Sequence, residues 1–179
     1  MMNVFEIRTG QDKLKKMALA AMFAALAVLL SGFSFPVGPS RCFPFQHAMN
    51  VMCGVILGPW WAVGSAFVSS VIRNMLGTGT ILAFPGSMFG ALAVGLAADM
   101  LPSGRRLFAA AAEPLATSLI GAWVSSLIMA SAGKGAMFSM LSVAFLASSA
   151  PGAVIGFLAI FSLSLAARRN KARTADGER

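Results

Sequence analysis

The chain has 179 residues, 58% of them hydrophobic and 11% charged, with a mean hydropathy of +0.79. Soluble domains carry about 25% charged residues, so an ordinary water-soluble domain is excluded. The formal charge of +8 does not indicate nucleic acid either, because the basic residues flank apolar runs and no basic patch is interleaved with exposed aromatics.

Residues 17–40, 42–72, 74–98 and 135–167 contain no charged side chain. A membrane-crossing helix needs about 20 apolar residues, so the chain reads as an all-α polytopic integral membrane protein, a single domain over 1–179. The first run is too long for a signal-peptide core and lacks a clear small-residue cleavage site.

Helix 1 is predicted over 16–35. In "MALAAMFAALAVLL", Ala20/Ala24 and Ala21/Ala25 form overlapping pairs of small residues four apart, which permit close helix approach. They serve packing within the bundle, or a docking face for another membrane subunit.

The run 42–72 would be about 46 Å long as one helix, well beyond a bilayer core of about 30 Å. Gly58-Pro59 near its middle favours a break, followed at once by Trp60 and Trp61, residues common at membrane–water interfaces. Two helices, 45–58 and 60–77, are therefore predicted, and charge decides between six spans and five. With six spans and both termini cytoplasmic, Arg8, Lys13, Lys15, Lys16, Arg105, Arg106, Arg168, Arg169, Lys171, Arg173 and Arg179 fall inside, 11 in all, against Arg41, Arg73 and Lys134 outside. Five spans give 6 inside and 8 outside, so the positive-inside rule selects six.

"RCFPFQHAMN", Arg41 to Asn50, then lies at the outer mouth of helix 2 and holds the only histidine. Gln46, His47 and Asn50 share one helical face, continued by Cys53 and Gly54. Polar groups at membrane depth are costly unless they face protein or a wet cavity, so this face points inward, as a ligand pocket or as an interhelical hydrogen-bond cluster. Arg73, Asn74 and Thr78 close helix 3 at the same level, before a glycine-rich turn. That arginine is either a donor to a ligand or a snorkelling anchor. "GTGT" lacks the ending of a phosphate-binding P-loop.

Helix 4 is predicted over 84–101, where the Gly86/Gly90 and Ala91/Gly95 spacings serve close packing, while Phe84 and Ser87 can line a pocket. Helix 5, over 107–131, places Trp123 and Ser126 in its outer half, with Trp123 equally an interfacial anchor. Glu113 precedes Pro114 and reads mainly as a residue at a positive helix end, within reach of Arg105 or Arg106. Helix 6, over 137–167, is long enough to project beyond the bilayer, and 170–179 reads as a flexible polar tail. No strong internal repeat supports an inverted-repeat transporter.

No catalytic set emerges from one histidine and no outer carboxylate pair, so the chain does not read as an enzyme. Cys42 and Cys53 lack disulfide or metal spacing, no cofactor is implied, and no nucleotide-binding motif is present.

"FPVGPSRCFPFQHAMNV…GVILGPWWAV", "RNMLGTGTILAFPGSMFGAL" and the helix 1 alanine pairs resemble the ThiW family, over most of residues 17–165. The block from Arg41 to Leu92 carries the specificity. The resemblance implies a six-helix S component of an energy-coupling factor vitamin importer in the bacterial cytoplasmic membrane. It implies capture of hydroxyethylthiazole, a thiamine precursor, and partnership with a transmembrane coupling (T) component and two cytoplasmic ATPases. Ala20, Ala21, Ala24 and Ala25 would contact the coupling protein, and the loop 35–44 would cover the pocket. On this picture Gln46, His47 or Asn50 bonds the ring nitrogen or hydroxyl, Arg73 or Asn74 takes the hydroxyl end, and Phe84 or Trp123 packs on the ring. The rivals are another ligand of the same class, such as hydroxymethylpyrimidine or thiamine, a small membrane-embedded enzyme using His47 and Arg73, and an assembly subunit without a ligand.

Overall fold

Residues 13–37, 40–135 and 137–177 are described in the structure, a computed structural model. Helix α1 (Lys13–Leu29) ends in a tight turn at Leu30–Gly32. It buries Ala20, Phe23, Ala24 and Ala27 on one face and exposes Leu14, Met17, Met22 and Leu29 on the other. The covering loop expected at 35–44 contains a small antiparallel hairpin. Strand β1 (Phe35–Val37) pairs with β2 (Ser40–Cys42), Phe35 opposite Cys42 and Pro36 opposite Arg41. Its turn, 38–39, lies outside the described residues, as do Arg8 and Arg179 of the charge count.

The break expected at Gly58-Pro59 is present. Helix α2 (Pro44–Leu57) stops at Gly58, whose φ of 101° lies in a region side chains disfavour, and Pro59 opens α3 (Pro59–Met75) at a position where its missing N–H costs nothing. Both residues are buried, so this irregular backbone is shielded from lipid by protein.

Helix α4 (Ala83–Met100) follows, then α5 (Ser103–Ser131), which changes winding along its length. It begins as 3₁₀ helix over Ser103–Ala111, becomes α over Ala112–Ala116, π over Thr117–Gly121, and α again over Ala122–Ser131. The last helix, α6 (Phe138–Gly177), continues through residues 170–177, which the sequence reading assigned to a flexible tail.

Four helical stretches are long and apolar enough to cross a bilayer: Lys13–Gly32, Ala83–Met100, Ser103–Ser131 and Phe138–Ala167. At 1.5 Å per residue, α2 and α3 reach only about 21 and 26 Å. The exterior is apolar, with Trp60, Met75 and Met100 almost fully exposed, while Gln46, His47, Asn50, Arg73 and Glu113 are buried. This inverts the pattern of a water-soluble protein and fits a lipid surround. Helix α2 occupies the centre, touching all five other helices, with all but Phe45 and Met52 of its residues buried. One apolar cluster joins α2 to α1, α3 and α4, and a second joins it to α4, α5 and α6.

Candidate functional site

The start of α2, the end of α3, the start of α4, the end of α5 and the start of α6 converge at one end of the bundle. They enclose a cavity of about 270 Å³, closed on one side by Arg41 of β2 and by Phe43. Apolar walls come from Leu82, Met129, Met137, Leu141 and Phe145. Polar groups come from Gln46, His47, Arg73, Thr78, Thr80, Ser87 and Ser148. By exposed area the lining is mostly apolar, with polar groups set among it, which is the usual make-up of a small-molecule site.

Helical spacing accounts for one wall. Gln46 and His47 on α2 line the cavity, but Asn50, one turn further on, points behind it. Its amide donates to the Ser87 carbonyl and to Glu113 Oε1, each at 3.1 Å. His47 Nδ1 lies 2.7 Å from the same Glu113 oxygen, and the Thr117 hydroxyl donates to the other at 3.2 Å. Glu113 is thus wholly buried and has His47, Asn50 and Thr117 as partners.

This corrects the reading of Glu113 as a terminal residue facing Arg105 or Arg106. Helical winding starts at Ser103 rather than near Pro114, so the carboxylate sits inside α5 and beneath the cavity. With Nδ1 against the carboxylate, Nε2 is the ring nitrogen left for other partners. The crossing of α4 and α5 permits this arrangement only because residue 90 is glycine. A Cβ there would collide with the Thr117 hydroxyl and the Glu113 carboxylate.

The second wall is built on the end of α3. Arg73 is 1% exposed, with its guanidinium carbon 3.8 Å from the centre of the Phe43 ring and Nη2 3.4 Å from the Thr78 carbonyl oxygen. Nε and Nη1 are buried and have no hydrogen-bond partner among the described residues. A snorkelling anchor would be exposed, so that reading of Arg73 is set aside. Asn74 lies beside the cavity, donating to the Ser70 and Thr80 carbonyls and so fixing the turn that follows α3. The Ser70 and Ser87 hydroxyls, 3.2 Å apart, tie α3 to α4.

Three further candidates fall outside the cavity wall. Phe84 packs against Phe67, ring centres 5.7 Å apart. Trp123 is 58% exposed on the outer surface, because Ala122, Ser125 and Ser126 take the inward face of that turn. Ser126 is buried but structural, accepting the Met137 N–H at 3.1 Å and securing the link to α6. The sequence marked Phe43 only as part of the covering loop 35–44, and it did not mark Leu82, Met129, Met137, Leu141, Phe145 and Ser148 as lining residues. Phe43 carried a signal, since it adjoins the polar cluster in sequence; the others sit in or beside apolar helices and carried none. The residue after the hairpin is anchored to α6, the Phe43 N–H donating to Ser148 Oγ at 2.7 Å.

The alanine pairs of α1 divide. Ala20 and Ala24 are buried within the bundle and cannot meet a partner, whereas Ala21 and Ala25 are exposed. Among the described residues no cluster of side chains could hold a metal ion. Both cysteines are free and buried.

The family described as thiamine-precursor transporter protein (ThiW) matches residues 17–166. No curated protein and no solved structure matches the chain.

Proposed function

The chain belongs to the ThiW family of thiamine-precursor transporters, and from that premise we propose that it is the substrate-capturing S component of an energy-coupling factor importer, with hydroxyethylthiazole as its ligand. The observation that carries the reading is the cavity, a partly open chamber of about 270 Å³ that suits one small heteroaromatic ring. Met129, Met137, Leu141 and Phe145 would enclose the ring, with Gln46 and His47 offering hydrogen bonds to the ring nitrogen or hydroxyl. Asn50 would act through Glu113 and Ser87 rather than by touching the ligand.

In this reading all six helices form one membrane domain with both termini cytoplasmic, and the cavity opens to the outside beneath the hairpin. A coupling protein docks on the exposed Ala21 and Ala25, and two ATPases drive release of the ligand inward. The chain supplies capture and no chemistry: His47 meets the cavity, and its acidic partner Glu113 lies behind the lining, where it fixes the ring.

The test is equilibrium binding of radiolabelled hydroxyethylthiazole to the purified chain, with Gln46→Ala, His47→Ala and Arg73→Ala in parallel. Tryptophan quenching is a poor reporter, since Trp60, Trp61 and Trp123 do not line the cavity. Stoichiometric binding weakened in these variants is expected. Parent-like binding in all three would place the ligand elsewhere, and conversion of the thiazole to a product would make the protein an enzyme.

A further inference from the structure

Arg73 is an unusual group for a chamber built around a neutral ring. Its guanidinium is buried, its face rests on Phe43, and its in-plane Nε and Nη1 donors lack partners among the described residues. Stacking on an aromatic face satisfies none of those N–H groups, because they point along the plane of the guanidinium. Nor does a carboxylate neutralise it, since Glu113 pairs with His47. Among the described residues the cavity lining contains Arg41, His47 and Arg73 and no aspartate or glutamate. An unpaired cation at membrane depth is costly, and a neutral alcohol would leave that cost standing.

Resting on the thiazole reading above, we infer that the occupant is the anionic form of the precursor, a thiazole bearing a phosphate monoester, with Arg73 as the residue that pairs with the oxyanion. Arg73, Thr78 and Thr80 from the end of α3 and the turn after it, with Arg41 on the hairpin, supply the polar and charged lining, and the methionines and Phe145 supply apolar lining for the ring. A phosphate group accepts several donors at once and matches the guanidinium in geometry as well as charge. Arg41 is exposed, so it completes this end while remaining in reach of solvent.

The experiment compares hydroxyethylthiazole, its phosphate monoester and inorganic phosphate as ligands of the full chain in a phosphate-free maltoside detergent, with short-chain phosphatidylglycerol as a competitor. The ester is expected to bind about ten- to hundredfold tighter than the alcohol, the worth of one hydrogen bond to a charged group. Arg73→Gln should erase that preference, and Arg73→Lys should keep part of it. An alcohol that binds as well as the ester overturns the inference while leaving the thiazole reading intact; the parent protein alone decides this if the variants do not fold. A preference that survives Arg73→Gln overturns it as well. If neither thiazole binds, the thiazole reading fails. Stabilisation by inorganic phosphate that depends on Arg73 would then still support an oxyanion site, and its absence would sink it. Displacement by phosphatidylglycerol with no ester preference would assign the oxyanion to a lipid headgroup and overturn the ligand inference.

Discussion

Glu113 shows how one residue sets the floor of the cavity. Replacing it by leucine strips an acceptor from His47, Asn50 and Thr117 together. Leaving buried polar partners of a carboxylate unsatisfied costs about 3–5 kcal/mol, so Glu113→Leu should melt far below the parent protein in thermal unfolding. Glu113→Gln keeps one acceptor oxygen and should lose less. A parent-like melting curve for the leucine variant would mean that the network contributes nothing. Single residues were legible in the sequence where chemistry was rare: His47, Gln46 and Arg73 stood out in an apolar chain, and all three line the cavity. Glu113 was misread because Pro114 looks like a helix start, and nothing in "SGRRLFAAA" marks the 3₁₀ winding that carries the helix past it. Trp123 was chosen by depth, and depth does not say which way a side chain points.

Helices meet here through small residues, and the substitutions that matter follow from what each would touch. Gly90→Ala should push Glu113 off its partners and lower both melting temperature and ligand affinity. Gly64→Ala, on an exposed part of α3 with nothing within 4 Å of the added carbon, should be neutral or stabilise by up to about 1 kcal/mol. Equal effects of the two would remove contact geometry as the explanation. On α1, Ala20→Trp should unfold the bundle, whereas Ala21→Trp should leave ligand binding intact and abolish co-purification with a coupling protein and ATPases. Retained complex with Ala21→Trp would end the docking proposal. The overlapping alanine pairs could not be told apart by spacing, since both satisfy it; only the rotation of α1 against α2 and α3 separates them.

For the whole molecule, orientation rests on charge distribution and is open to direct measurement. In a Cys42→Ala, Cys53→Ala background, Lys134→Cys should react with a membrane-impermeant maleimide added outside intact cells, and Ser103→Cys only after permeabilisation. The reverse pattern would turn the cavity towards the cytoplasm and contradict capture from outside. The membrane class was legible from composition and the Gly58-Pro59 break from the length of the run around it, whereas the hairpin after α1 was not, because three-residue strands leave no periodicity to read. The central position of α2 has a kinetic meaning. With nearly all of its residues enclosed by the five other helices, its amides should be among the last in the protein to exchange with heavy water. Gln46 and His47 are then held in place before any ligand arrives, and little configurational freedom is lost on that wall. Binding should therefore leave the exchange of the α2 amides unchanged, and the affinity that this wall contributes comes without an ordering cost.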